Sequence, residues 1–332
     1  MNGPSPRITG LGRYVPARIV TNDELSTMVD TSDEWIRSRT GIAERRFAGE
    51  GESTATMAAA AGSEALEQAG VKPEDVDLVI VATSTPDFPL FPSTSCLVQS
   101  ALGLSRAGAW DLSAACSGFV YGLVTACQFI ETGSQRCILL IGADTLSRSL
   151  DFSDRTTCVL FGDGAGAALI QSDPEAGGLL SFVLGADGSR AADLEVVAGG
   201  SRSPMTAERL ALGQNWITMN GREVYRFSTT VPVTALVQAT ERAGVTIQDL
   251  DLIVAHQANA RILQTAAHNL GVPEDRFYIN VERYGNTSAA SIPLALYDAC
   301  VEGRIKPGAL LGFMGFGAGL TWASAIWRWQ GL

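Results

Sequence analysis

The most constraining feature of this 332-residue chain is that part of it occurs twice. Ala69-Gly-Val-Lys-Pro-Glu-Asp-Val-Asp-Leu-Val-Ile-Val-Ala82 returns as Ala243-Gly-Val-Thr-Ile-Gln-Asp-Leu-Asp-Leu-Ile-Val-Ala-His256, at a constant offset of 174 residues. Six of the fourteen positions are identical, and three more exchange one aliphatic side chain for another. An offset near half the chain marks a duplicated domain, because solenoid repeats have periods of only about 20–50 residues. Both copies also sit in the same context. A helical stretch ends at Gly70 or Gly244, where glycine suits the left-handed position after a helix. A short acidic turn follows. Then Leu78–Val81 or Leu252–Val254 reads as a strand buried on both faces.

The remaining periodicity alternates in the same way. Ser53 to Ala69 is Ala-rich and helical, with Ser53 as its cap. Ser117 to Ile130 is apolar almost all round, which predicts a central buried helix. Cys137–Ile141 is a buried strand, and Thr157–Phe161 with Ala165–Gln171 is expected to form a strand pair around the cluster Gly162–Gly166. In the second half, Glu223–Arg242, Ala260–Leu270 and Ser288–Glu302 are expected helices, the last shortened or kinked by Pro293. Leu310–Met314 and Thr321–Trp329 are expected strands, on either side of a Gly-rich turn at Gly315–Gly319. Such alternation in two similar halves predicts a layered α/β protein. The boundary is expected within Ser172–Gly178, which separates 1–172 from 173–332.

Composition narrows the function. Hydrophobic residues make up 46% and charged residues 18%, enough apolar material for a large core and incompatible with a disordered chain. The net charge is −11, and only Lys72 and Lys306 are lysines, so basic patches must be built from Arg. Non-specific nucleic-acid binders usually carry the opposite sign. The six cysteines, Cys96, Cys116, Cys127, Cys137, Cys158 and Cys300, include no closely spaced pair and predict reduced thiols in an intracellular protein. Met1 to Val20 lacks the apolar core of a signal peptide, and no apolar run is long enough to span a bilayer. A cytoplasmic protein that uses neither membrane nor nucleic acid is expected. With only His256 and His268, a His-rich metal site is ruled out. The phosphate-binding loop, the dinucleotide fingerprint and the α/β-hydrolase elbow are all missing.

Cys-based chemistry or a binding function remains. Cys116 lies in Asp111-Leu-Ser-Ala-Ala-Cys-Ser-Gly-Phe119, where an extended segment meets the N-terminus of the apolar helix. Unpaired N–H groups and the positive end of the helix dipole stabilise a thiolate there. Small neighbours leave room for a substrate. Any one cysteine is usually a buried structural residue, and the other five fit that description. His256 ends the second copy of the repeat where the first copy has Ala82. It is either a core imidazole or a titratable group at a strand's C-terminal end, where α/β folds place chemistry. Asn286, in Tyr284-Gly-Asn-Thr-Ser-Ala-Ala-Ser-Ile-Pro293, suits a turn or cap equally well. Gly315–Gly319 is either a tight turn or a backbone donor for a developing oxyanion. Together on one duplicated scaffold, these features suggest an active site.

Six segments carry a resemblance running nearly end to end. They are Thr31-Ser-Asp-Glu-Trp-Ile-Arg-Ser-Arg-Thr-Gly-Ile42, the Cys116 segment, Phe161-Gly-Asp-Gly-Ala-Gly166, His256-Gln-Ala-Asn259, Gly285-Asn-Thr-Ser-Ala-Ala290 and Gly317-Ala-Gly-Leu-Thr-Trp322. In these the chain resembles the thiolase superfamily, and most closely the beta-ketoacyl-acyl carrier protein synthase III family. The resemblance implies a thiolase-like five-layer αβαβα fold and a homodimer. It implies the initiating condensation of type II fatty-acid synthesis, with acetyl-CoA as the leading primer and malonyl-acyl carrier protein as the second substrate. A specialised polyketide-type or other secondary-metabolic ketosynthase, or an acyltransferase with a non-acetyl primer, is the alternative. A thiolase would use a second Cys as base, and the C-terminal Gly cluster contains none.

By the same resemblance Cys116 is the nucleophile, and His256 and Asn286 donate to the malonyl thioester oxygen. The N–H groups of Cys116 and Ala318 form the acyl oxyanion hole. Trp35 and Arg155 sandwich the adenine of CoA, Arg39 meets a phosphate, Asn259 contacts the pantetheine arm, and Thr31, Gly221 and Tyr225 line the channel. Arg226 and Arg261 dock the carrier protein. Thr85, Phe91 and Leu146 shape the acyl pocket, with Phe91 reaching across the dimer. No metal or redox cofactor is implied, and acyl-CoA enters as a substrate. Ala318 stands where the Gly-rich turn usually has Gly, and Ala43 where Arg is common. His268 and Asn269 replace a Lys pair that helps carrier docking.

Overall fold

The computed structural model describes residues 4–174 and 177–332. Two sheets form its frame. The first contains β1 (Ser5–Tyr14), β2 (Leu78–Ala82), β3 (Gly108–Leu112), β4 (Cys137–Thr145) and β5 (Asp163–Asp173), in the order β1-β5-β4-β2-β3. The second contains β6 (Gly178–Ala186), β7 (Leu252–Ala255), β8 (Leu310–Gly317) and β9 (Thr321–Arg328), in the order β7-β8-β9-β6. The repeated segments supply β2 and β7. Each pairs in parallel with the next sheet strand, β4 or β8, and two antiparallel pairings complete the set. The duplication in sequence is therefore a duplication of strand order. Beyond β2 lies β3; beyond β7 the corresponding place holds only the parallel bridge between Ile253 and Phe277.

Helices fill three layers around these sheets. The outer layer of the first sheet is α2 (Thr54–Ala69), which follows α1 (Asp33–Thr40) at the surface. Ser53 caps α2 by accepting from Thr56 N–H at 3.3 Å, and Gly70 ends it at φ 64°. Its buried face is Ala58, Ala61 and Ala65, small enough to lie flat on Val79, Val81, Leu139 and Ile141. Between the sheets run α3 (Gly118–Glu131) and, later in the chain, α7 (Ser291–Val301). Phe119, Leu123, Ile292 and Leu296 belong to one core with Ile80 and Leu140 of the first sheet and Phe313 and Trp327 of the second. This is why α3 is apolar all round. The outer layer of the second sheet is α5 (Val231–Ala243) and α6 (Ala260–Leu270), preceded by the short α4 (Gly221–Ser228). The order α2, sheet, α3 with α7, sheet, α5 with α6 is the expected five-layer arrangement.

Four expectations change. Thr157–Phe161 is a series of turns, with Cys158 N–H and Thr157 N–H both bonded to Asp154 O; only Phe161 makes a bridge, to Asn286. Its expected partner Ala165–Gln171 lies in β5, between β1 and β4. Glu223–Arg242 is two helices, α4 and α5, parted at Thr229–Thr230 because Pro232 fits only the first turn of a new helix. Pro293 likewise occupies the first turn of α7, where its missing N–H costs no helical bond, so it does not kink the helix; the α-helix is nevertheless shorter than expected, because Ser288–Ala290 forms a 3₁₀ turn ahead of it. The Gly-rich segment is also mostly strand, since β8 continues to Gly317.

Residues 1–3 of the N-terminal stretch and 175–176 of the expected half boundary lie outside the described residues. Among the described residues no helix is long and apolar enough to cross a membrane.

Candidate active site

Cys116 sits in a single 3₁₀ turn, Ala115–Ser117, that leads from β3 into α3. Ala115 is held at φ 47°. Among the described residues the one other non-glycine at positive φ is Ser288, at 50°. Both border the same cavity beside Cys116. Strained backbone at non-glycine residues is sustained only where surrounding structure enforces it, which is common at active sites. The second sheet supplies that enforcement. Gly317, at the end of β8, lies so close that a Cβ there would stand 2.7 Å from Cys116 N. Glycine is therefore required for the two halves to meet.

Cys116 is 6% exposed. Burial pushes its thiol up to about 12; a bond from Ser288 lowers it and the Asp144 charge raises it further. The N-terminus of α3 acts against burial, since its free N–H groups and dipole favour the thiolate.

His256 follows β7 directly, and its N–H donates to Met314 O of β8 at 2.8 Å. Its ring packs T-shaped on Phe316 at 5.0 Å between centroids. Burial pushes its pKa down to about 3, so it is neutral at ordinary pH. Asn286 is fixed through its backbone: its N–H donates to Leu160 O at 2.8 Å and its carbonyl accepts from Gly162 N–H at 2.9 Å. Its Oδ1 accepts from Ser288 N–H at 2.9 Å, leaving the two hydrogens of Nδ2 without a protein partner among the described residues. Cys116, His256 and Asn286 border one cleft, together with Gly221, Tyr225 and Asn259. A cysteine sulfur, a neutral imidazole and an amide donor thus face one space, where they can form a thioester and donate to a developing oxyanion without placing a negative charge beside it.

A second cavity of about 190 Å³ also borders Cys116, with Thr85, Leu146, Ser288 and Ala318 in its wall. Thr85 Oγ1 donates to Asp144 at 2.9 Å and accepts from Thr145 N–H at 2.7 Å. Phe91 borders neither cavity and is 79% exposed. Outside the cleft, Trp35 lies under two guanidinium groups, Arg39 at 5.4 Å and Arg155 at 5.1 Å. At that distance Arg155 stacks on the indole. Asn259 caps α6 through Oδ1 and donates Nδ2 to Arg39 O at 3.1 Å, tying the channel to α1. The Thr31 hydroxyl is buried without a partner among the described residues. Arg226 and Arg261 are exposed, Arg226 pairing with Glu223 at 2.8 Å. Asn269, in place of a docking lysine, donates to Thr229 O at 2.9 Å.

Family models for 3-oxoacyl-acyl-carrier-protein synthase III match residues 110–188 and, for its C-terminal part, 240–329. A beta-ketoacyl-acyl-carrier-protein synthase III of Symbiobacterium thermophilum is 52% identical over 322 residues, 97% of each chain. The chain belongs to the beta-ketoacyl-acyl-carrier-protein synthase III family. Among solved structures, the 3-oxoacyl-acyl-carrier-protein synthase III of Aquifex aeolicus is 42% identical with TM-score 0.91, covering 98% of this chain and 100% of that one. A priming beta-ketosynthase of the R1128 polyketide pathway is 36% identical with the same TM-score, covering 99% and 97%.

Two residues with structural claims on the site were not singled out from sequence. Asp144, fully buried, accepts from Ser84 N–H at 2.7 Å and Ala289 N–H at 3.1 Å, stapling the two halves together. Burial raises its pKa, and these bonds hold it down. A carboxylate continuing the aliphatic run Cys137–Ile141 was the available signal. Ser288 was visible only as a small residue in the Asn286 segment.

Proposed function

We propose that the chain catalyses the decarboxylative Claisen condensation that initiates type II fatty-acid synthesis. Cys116 attacks the carbonyl of an acyl-CoA primer, acetyl-CoA first. The C–S bond to CoA breaks, CoA leaves as the thiol with the proton given up by Cys116, and the acyl group stays on the sulfur. Malonyl-acyl carrier protein then binds through the same cleft. Its terminal C–C bond breaks, CO₂ departs, and the electron pair becomes a thioester enolate. The enolate carbon attacks the acyl-Cys116 carbonyl, 3-oxoacyl-acyl carrier protein forms, and the expelled Cys116 thiolate takes a proton from solvent to restore the thiol.

His256 and Asn286 donate to the enolate oxygen. The N–H groups of Cys116 and Ala318 receive the acyl oxyanion. Trp35, Arg39 and Arg155 hold the nucleotide of CoA, and Thr31, Gly221, Tyr225 and Asn259 line its channel. Arg226 and Arg261 attract the acidic carrier. The reaction is redox-neutral at every step and calls on no cofactor. The chain works as a cytoplasmic homodimer, in which the exposed Phe91 covers the acyl cavity of the second copy next to Thr85 and Leu146.

The observation that carries this proposal is the meeting of Cys116, His256 and Asn286 in one cleft. The test is a condensation assay with acetyl-CoA and malonyl-acyl carrier protein. CO₂ and 3-oxoacyl product should form in equal amounts, and Cys116→Ala should abolish the product. CO₂ release without condensation in the wild type would refute the proposal. A second reading, a specialised ketosynthase with a non-acetyl primer, is favoured by the 36% identity to the priming beta-ketosynthase of the R1128 polyketide pathway. A panel of acyl-CoA primers ranked by kcat/KM separates the two.

A further inference from the structure

The two N–H groups assigned to the acyl oxyanion sit on separate pieces of backbone. Cys116 belongs to the turn Ala115–Ser117 of the first half, and Ala318 to the short loop between Gly317 of β8 and Thr321 of β9. Both residues border the acyl cavity, and neither N–H has a hydrogen-bond partner among the described residues. Close packing sets how near the two segments come, since a Cβ on Gly315 would stand 3.0 Å from Ser117 Cα. Packing of bare backbone does not fix how far one segment slides along the other. Among the described residues no backbone hydrogen bond joins them. The far end of the loop is tied elsewhere, by Leu320 N–H to Asp187 O at 2.9 Å and Asp187 N–H to Leu320 O at 2.8 Å.

Among the described residues, one side-chain bridge fills that gap. Ser117 Oγ lies 2.8 Å from Thr321 Oγ1 and 2.7 Å from Ala114 O. Thr321 Oγ1 lies 3.0 Å from both Ala114 O and Ala318 O. Two hydroxyl hydrogens serve these four contacts. Hydroxyl oxygens 2.8 Å apart need a hydrogen between them. If Ser117 supplies it, Thr321 turns its own to Ala114 O or Ala318 O; if Thr321 supplies it, Ser117 turns its own to Ala114 O. Every arrangement leaves Thr321 bonded to the turn that carries Cys116.

We propose that Thr321 is a positioning residue for the acyl oxyanion hole: its hydroxyl, bridged to Ser117, sets the N–H of Ala318 in register with the N–H of Cys116. This rests on the proposed condensation, in which both donors receive the carbonyl oxygen of the acyl group. Two donors stabilise an oxyanion only when both reach the same atom, and neither segment arranges that alone. Thr321 borders neither cavity, so its effect on the reaction passes through the backbone.

The test is the carbonyl stretch of acetyl-Cys116 in the full chain, made from acetyl-CoA labelled with carbon-13 at the carbonyl and read by infrared difference spectroscopy. In the wild type the band should lie well below that of an acetyl thioester in an apolar solvent. Thr321→Val, which keeps the branching and removes the hydroxyl, should move the band up. It should also slow acylation at saturating acetyl-CoA about 10–100-fold with KM little changed, the scale for groups left about 1 Å out of place. Thr321→Ser should restore band and rate. Ser117→Ala cuts the bridge from the other side and should move the band in the same direction. The double variant should be no slower than Thr321→Val, because both changes act through one bond. A lowered band in the wild type that stays in place in Thr321→Val, or a loss that Thr321→Ser does not restore, overturns the role of Thr321 alone. A wild type that forms no acetyl-enzyme, or one whose band is not lowered, overturns the oxyanion reading and this proposal with it.

Discussion

The side chains of the proposed catalytic set are fixed one by one by their neighbours. Asn286 uses Oδ1 on Ser288 N–H, which turns the Nδ2 hydrogens, unpartnered among the described residues, toward a ligand. Asn286→Asp keeps the shape, removes those donors and adds a negative charge beside the enolate. Decarboxylation of the malonyl thioester should fall about 10²–10³-fold, the range for losing one oxyanion donor, while acylation of Cys116 continues. Separate assays of the two half-reactions check this. His256 adds a pH dependence whose sign is fixed. Its folded-state pKa of about 3 lies below the usual 6.5, so the unfolded chain takes up the proton first as pH falls. This contribution to stability is complete above pH 6.5 and is lost progressively as pH falls toward 3. Urea unfolding midpoints should therefore drop on acidification, and drop less in His256→Gln. Cys116, His256 and Asn286 were legible because the residue types are chemically rare or broke the repeat. Thr321 and Asp144 were not, because a threonine opening an alternating strand and an aspartate after an aliphatic strand declare nothing until their partners, distant in sequence, are in place.

At the scale of elements, the site exists because β8 comes against the turn that opens α3. Gly317→Ala places a Cβ 2.7 Å from Cys116 N, on backbone that cannot swing aside. The expected cost is about 1–3 kcal/mol of stability, with a slowed reaction of Cys116 with acyl-CoA. Thermal unfolding with thiol-acylation rates measures both. The repeated strands, α2 with its Ser53 cap and the all-apolar α3 were readable, since burial on both faces and capping leave periodic traces. The segment Thr157–Phe161 was misread for a physical reason. Its apolar residues serve a turn packed around Phe161 and the buried Arg45, which donates to Val159 O at 2.8 Å, and not a ladder. Helix α4 merged with α5 in the sequence pattern because both are amphipathic; Pro232 marked the break.

At the scale of the molecule, chemistry is divided between the halves. The first carries Cys116 and Trp35, the second His256, Asn286 and Gly317, and the channel mouth joins them where Asn259 donates to Arg39 O. The ancestral symmetry is kept in strand order and broken where His256 replaces the residue at Ala82 of the first copy. Because Trp35 lies outside the reacting centre, Trp35→Ala should raise KM for acyl-CoA several-fold and leave kcat nearly unchanged, a loss of uniform binding. Initial-rate measurements over a range of acyl-CoA concentrations check it.

The central claim is that Cys116 carries the acyl group. Intact-protein mass after incubation with acetyl-CoA, in the absence of malonyl-acyl carrier protein, tests it most directly. The account predicts one added acetyl group per chain, discharged when malonyl-acyl carrier protein is supplied and missing in Cys116→Ala. An adduct that persists in Cys116→Ala, or no adduct with any acyl-CoA, would contradict it.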